Sequence, residues 1–256
     1  MSLAAPRLRH PIVLVHGLLG FNALRIAGRT VVTYFPGIAG FFESSGNRVY
    51  DVQLSPTAGI DQRAAELRRH LLDAVPNEPV HILAHSMGGL DARAMITHLG
   101  MAERVRSLTT IGTPHRGSPF ADWGVRRFER IVRPLLKMIG WPDQAFYDLT
   151  TDACAAFNDR TPDAPTVRYF SIAGRCAGAW LSLEWLLPHT IVRRAEGPND
   201  GIVSIASATY GEATDVWAGD HMSLVNWPNP QAYAFGLWRS RFAEYADILK
   251  RLQATE

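Results

Sequence analysis

The chain has 256 residues, 47% of them hydrophobic, enough for one sizeable core and a length at which an α/β fold is commonly a single domain. Its 26 Lys and Arg against 24 Asp and Glu give a net charge of +2, too balanced for the electrostatic footprint of a nucleic-acid binder. No apolar run approaches the roughly 20 residues of a membrane span, and Cys154 and Cys176 sit in no CxxC or CxxH pattern that would make a metal cluster. The two cysteines leave one disulfide or two free thiols open. The segment MSLAAPRLRHPIVLVHG has a short apolar run without a small-residue cleavage site and leads into a strand. The expectation is a cytoplasmic protein, or the mature form of a secreted one.

In chain order, PIVLVHG (Pro11 to Gly17) reads as a buried strand ending in a glycine loop, and NRVYDVQL (Asn47 to Leu54) as a second strand. Ile60, Ala64, Leu67, Leu71 and Val75 form one stripe of an α-helix, which Pro76 and Pro79 stop. VHILA (Val80 to Ala84), VRSLTTIG (Val105 to Gly112) and VRYFSIAG (Val167 to Gly174) are further buried strands. Between the last two, from Thr113 to Pro165, the chain runs longer than a crossover helix requires. Phe128, Ile131, Val132, Leu135 and Ile139 lie on one helical face there, and Pro134 is expected to kink or split that helix. Residues 114–165 are read either as a helix covering the sheet or as a cap whose apolar face shelters a site and meets lipid on opening. QAYAFGLWRSRFAEYADILKRLQ closes the chain as a long amphipathic helix. The alternation predicts one domain over residues 1–256, a mostly parallel sheet flanked by helices.

The stretch VHILAHSMGGLDAR carries the chemistry. A strand, a sharp turn at Ser86 and a helix starting near Met87 lift the serine Oγ to the C-terminal edge of the sheet, where open α/β sheets bind ligands. The residues two before and two after must be small because the turn brings them close; Ala84 and Gly88 meet this, and Gly89 gives a further close approach. This is a nucleophile elbow with alanine in the first glycine position.

A serine hydroxyl near pH 7 needs an imidazole to take its proton, itself oriented by a carboxylate. On a strand-turn-helix elbow these partners follow in the order serine, acid, histidine. His98 lies on the helix leaving the elbow, His115 comes too soon after Ser86, and His189 precedes the best acid. His221, in AGDHMSLVNW after the strand-like DVWAG, is the candidate base. Asp200, bracketed by Pro198, Asn199 and Gly201, has the loop signature of an acid exposed at a strand edge. Asp215 and Asp220 are the alternatives, and Asp220 is too close to His221 in the chain to face it. The backbone N–H groups of Met87 and Leu18 are the candidate oxyanion donors, and His16 reads as a hydrogen-bonded scaffold residue.

The segments PIVLVHGLLGF, AHSMGGLDAR, LTTIGTPHRGSPFAD, LTTDACAAFNDRTPD, NDGIVSIASA and DHMSLVNW resemble the bacterial triacylglycerol lipases typified by Pseudomonas, Burkholderia and Proteus. They are spread from Pro11 to Trp227 in the order of that family. The resemblance implies an α/β-hydrolase fold, a triad of Ser86, Asp200 and His221, an oxyanion hole at Leu18 and Met87, and a lid after Pro114. Ala84 stands where those lipases usually have glycine. They commonly hold a structural calcium through an aspartate two residues after the catalytic histidine and another upstream of the acid. Here Ser223 takes the first position and AGRCAGAWLSL offers no second, and a hydroxyl is a poor ligand for a hard cation, so no calcium site is expected.

The expected activity is hydrolysis of carboxylic esters, acylglycerols foremost, with no cofactor and with lipid-interface contact through the cap. Short-chain carboxylester or polyester cleavage and acyl transfer to a lipid acceptor use the same triad. A non-catalytic module on this fold would normally have lost a triad member, and all three are present.

Overall fold

The computed structural model describes residues 4–20, 23–26, 29–127, 143–176, 181 and 183–256. Six strands form one parallel sheet: β1 (Ile12–Val15), β4 (Val49–Asp51), β5 (Val80–His85), β6 (Val105–Ile111), β7 (Arg168–Arg175) and β8 (Ala213–Ala218), in the order β4-β1-β5-β6-β7-β8. β2 (Ala23–Ile26) and β3 (Arg29–Thr33) make a separate antiparallel hairpin that the sequence pattern does not announce. The parallel register pairs Val15 with Ala84, His85 with Ile111, and Ile111 with Ile172, so the strand ends bearing Gly17, Ser86 and Gly112 line up along one edge.

Both faces of the sheet are covered, which is why every residue of β1 and β5 is buried and β1 reads as an unbroken apolar run rather than an alternating one. The pleat splits β1 between two cores. Val13 and Val15 face α2 (Ile60–Ala74) and α3 (Gly88–His98), with Leu67, Ile82, Ala84 and Met95. Ile12 and Leu14 face α1 (Ile38–Ser44) and α10 (Phe242–Gln253), with Phe42, Leu83, Tyr245 and Leu249. Each fully buried side chain of this size contributes roughly 1.5–3 kcal/mol.

α2 matches the predicted stripe: Ile60, Ala64, Leu67 and Leu71 are buried, and Val75 closes the helix by donating to Leu71 O before Pro76. α3 is buried on every side over residues 88–96, so it is a core helix whose start is fixed by packing rather than by a side-chain cap.

After Thr113 the chain forms a helix at 119–127 (α4), then α5 (Gln144–Asp148) and α6 (Thr151–Arg160). Ser118 Oγ accepts from Phe120 N at the start of α4, and Thr150 caps α6, whose Cys154 and Phe157 enter the first core. The helix expected from Phe128 to Ile139, with its kink at Pro134, lies outside the described residues.

α7 (Leu183–Glu196) and the short α8 (Ile205–Ala208) flank the loop that carries Asp200. The expected long C-terminal helix is two helices, α9 (Pro230–Ala234) and α10. Gly236 adopts left-handed geometry at φ +67°, and the amides of Gly236 and Leu237 close on Tyr233 O and Ala232 O. This is a glycine stop signal that overrides the amphipathic pattern. No described helix is long and apolar enough to cross a membrane.

Candidate active site

β5 ends at His85 and α3 begins at Gly88, with Ser86 held at φ +54°, a conformation that costs a non-glycine residue and survives only where its surroundings enforce it. Three contacts do so. Ser86 N donates to Ile111 O at 2.8 Å, Thr113 Oγ1 donates to Ser86 O at 2.7 Å, and Gly89 N donates to the same oxygen at 3.1 Å. The neighbouring backbones come so close that a Cβ on Gly17 would lie 2.6 Å from Ser86 Cβ, and one on Gly88 would lie 2.8 Å from His16 O. The smallness of these positions is a steric requirement.

Asp200 is fully buried. Its Oδ1 accepts from the amides of Ile202 (3.0 Å) and Val203 (2.8 Å), and its Oδ2 meets His221 Nδ1 at 2.7 Å. His221 N also donates to Asp200 O at 2.7 Å, so the acid holds both the ring and the backbone of the histidine. With Nδ1–H donating to Asp200, the lone pair of Nε2 is left to take a proton. β6 and β7 seat the pair: a Cβ on Gly112 would lie 3.1 Å from Asp200 Oδ2 and 3.2 Å from His221 Nδ1, and one on Gly174 would lie 2.6 Å from Asp200 Cβ.

His85 bridges this pair to the elbow. Its ring lies 4.4 Å from that of His221, its Nε2–H donates to His221 O at 3.0 Å, and its Nδ1 accepts from Tyr34 Oη–H at 2.8 Å. Full burial holds His85 well below the ordinary histidine range, so it stays neutral and keeps both bonds. Ser86 is thus one residue from the group that touches His221. Ser86 Oγ forms no hydrogen bond to the His221 ring among the described residues, the looser geometry common before a substrate is bound.

A cavity of about 570 Å³ opens over Ser86, lined by Leu18, Leu19, Phe120, Trp123, Phe146 and Leu149 among others. Leu18 lines this cavity with Ser86 from the loop after β1, and Met87 follows the serine at the start of α3. Among the described residues neither of their amides donates to a main-chain acceptor.

Residues 70–226, more than half of the chain, match the PGAP1-like alpha/beta domain family. The chain belongs to this family. Triacylglycerol lipase 2 of Saccharomyces cerevisiae is 35% identical over 214 residues, which is 77% of this chain and 64% of the yeast protein. A triacylglycerol lipase of Pseudarthrobacter phenanthrenivorans is 38% identical over 122 residues, 45% of this chain and 36% of that enzyme. The chain therefore spans less than two thirds of either relative. The mature Bacillus licheniformis lipase BlEst2 shares the fold, with a TM-score of 0.71 at 24% identity over 97% of this chain and 93% of that one.

The calcium site that the resemblance to bacterial lipases implies does not fit the residues here. Ser223 Oγ donates to Asp220 O, and both Asp220 carboxylate oxygens are engaged, Oδ1 by Ser223 N at 2.8 Å and Oδ2 by Asn229 Nδ2 at 2.5 Å. The other sequence candidates lie elsewhere. His16 bonds Gly17 O and accepts from Leu54 N, and burial with the nearby Arg63 lowers it to about 4, which makes it a neutral brace of the loop after β1. His98 meets Thr161, His115 meets Thr110, and His189 meets Asn199. Asp215 pairs with Arg251. Cys154 and Cys176 are buried thiols outside any disulfide, and burial pushes both up to about 12.

Sequence reasoning missed His85, Tyr34 and Thr113 as supports of the site. The histidine before the serine was visible, but its partners come from distant elements. It also missed the buried pair of Arg63 and Asp91, 2.8 Å apart, whose guanidinium donates to His16 O (2.8 Å) and Ser55 O (2.7 Å). This pair ties α2, α3 and the loop after β1 together.

Proposed function

We propose that this α/β-hydrolase is a serine ester hydrolase acting on acylglycerols through an acyl-enzyme on Ser86. The observation that carries the proposal is the juxtaposition of a serine at φ +54° on a strand-to-helix turn with the bonded pair Asp200 and His221 on the same sheet edge.

Ser86 Oγ attacks the ester carbonyl as His221 Nε2 takes its proton. Asp200 fixes the ring through Nδ1 and stabilises the imidazolium that forms. The amides of Leu18 and Met87 receive the oxyanion, each donor supplying roughly 2.7–4 kcal/mol of transition-state stabilisation. His221 then protonates the departing alcohol, and water attacks the acyl-enzyme with the same histidine as base, regenerating Ser86.

The apolar lining of the cavity, with Phe120 and Trp123 from α4, supports long acyl chains as substrates and α4 as part of a cap within residues 114–165. Initial rates on p-nitrophenyl esters of increasing chain length and on an emulsified triglyceride, with Ser86→Ala as blank, test this. Preference for long chains with activity on the emulsion is expected. Turnover confined to short soluble esters would make the protein a carboxylesterase, and no rate above the blank would remove the hydrolase reading.

A further inference from the structure

The loop that carries His221 closes around a buried guanidinium. Arg241 stands at the start of α10 and is only 6% exposed. Its Nε donates to Ser223 O at 3.1 Å, Nη2 donates to Ala218 O, and Nη1 pairs with Glu244 at 2.9 Å. Its own amide donates to Asn226 Oδ1 at 2.7 Å, and its Cζ lies 5.8 Å from the centre of the Trp217 ring. A Cβ on Gly219 would collide with both the guanidinium and Ser223 Oγ, so the chain is drawn tight onto the cation.

Ala218 and Ser223 bracket His221. Their carbonyls converge on one interior point, where they need donors or positive charge. The loop's own carboxylate, Asp220, is an acceptor engaged by Ser223 N and Asn229 and supplies them neither a donor nor positive charge. A guanidinium answers this need better than an ammonium, since its planar fork reaches two fixed acceptors at once and never loses its charge.

We propose that Arg241 is a positioning residue of the reaction: it clamps the carbonyls on either side of His221 and holds the imidazole against Asp200 and Ser86, in place of a bound cation. The inference rests on the reading of His221 as the catalytic base. The His221 amide, bonded to Asp200 O at 2.7 Å, reports the state of the loop independently of catalysis.

The test compares full-length wild type with Arg241→Met and Arg241→Lys. It reads kcat and KM on a soluble p-nitrophenyl ester, with and without a chelator or added calcium, together with amide hydrogen exchange. A misplacement near 1 Å costs on the order of 10²-fold in rate. Arg241→Met is therefore expected to lose about that in kcat with little change in KM, and exchange should rise at residues 219–226 while the amides of β1 and β5 keep their protection. Added guanidinium at non-denaturing concentration should restore part of the rate, and calcium none.

Arg241→Lys, which keeps the charge but cannot bridge both carbonyls, should fall between the two and serves alone if Arg241→Met does not fold. Unchanged kcat, an exchange rise shared by the whole sheet, or a wild type as sensitive to chelation as to the substitution would overturn the proposal. Should wild type show no esterase rate above Ser86→Ala, the hydrolase reading fails, and the exchange pattern at 219–226 decides by itself whether Arg241 holds the loop.

Discussion

Replacing Gly17 with alanine puts a methyl group where the loop after β1, which carries the proposed oxyanion donor Leu18, passes Ser86. The added carbon would lie 2.6 Å from Ser86 Cβ, 3.1 Å from Tyr34 Oη and 3.2 Å from His85 O. Carbon atoms rest about 3.5–4.0 Å apart, so the loop or the serine must yield by about 1 Å. None of the three obstacles yields freely: Ser86 is pinned by Ile111 O and Thr113, Tyr34 bonds His85, and His85 is the last residue of β5. The loop carrying Leu18 therefore moves, and its amide leaves the position where the oxyanion forms. Losing one such donor or misplacing it by this distance costs on the order of 10²-fold in kcat. Overpacking destabilises the fold by about 1–3 kcal/mol as well. Initial ester hydrolysis rates and urea unfolding measure the two effects separately. Gly40→Ala is the control, because its added methyl on α1 meets nothing within 4 Å, and it should leave the rate unchanged. A Gly17→Ala enzyme with wild-type kcat would refute the claim that the β1 loop abuts the nucleophile.

The triad should behave as a unit. Ser86→Ala and His221→Ala each remove orders of magnitude of kcat and the double variant removes little more, while Asp200→Asn costs about 10⁴-fold; multiplying losses would deny the shared step. His16 has a folded-state pKa depressed to about 4 from an ordinary 6.5, so the stability it contributes is present above pH 6.5 and is lost as pH falls toward 4. The advantage of wild type over His16→Gln in urea unfolding should shrink by about 2 kcal/mol from pH 7 to pH 5, and a constant difference would show that His16 is not held neutral. Arg63→Met leaves the Asp91 carboxyl buried without its cation and is expected to cost about 3–5 kcal/mol, most of it recovered when Asp91→Leu is added. A single-variant cost below about 1 kcal/mol, measured by the same unfolding, would exclude a structural role for the pair.

The elbow was legible because its requirements are local. An apolar strand, small residues at 84, 88 and 89 and a helix after Ser86 all lie within one short stretch, and φ +54° at Ser86 is the backbone that such a stretch permits. Asp200 was legible for the same reason, since Pro198, Asn199 and Gly201 mark a turn whose amides fold back onto the carboxylate. His85 was not, because its value lies in Tyr34, 51 residues away, and in the carbonyl of His221, 136 residues away. Arg241 escaped notice because a cation on an amphipathic helix ordinarily reads as a solvated face. The same amphipathic pattern hid the break between α9 and α10, where Gly236 in the left-handed region outweighs the apolar stripe. Local pattern picked out the side chains of the proposed triad, whereas the contacts that surround them come from sheet order and loop packing.

Incubating the protein with a p-nitrophenyl ester, quenching in acid during the first turnovers and mapping the acylated peptide by mass spectrometry tests the central claim most directly. The account predicts a single acyl adduct on Ser86, formed with a burst of p-nitrophenol and absent from Ser86→Ala. Hydrolysis with no adduct on Ser86, or with the acyl group on another residue, would contradict it.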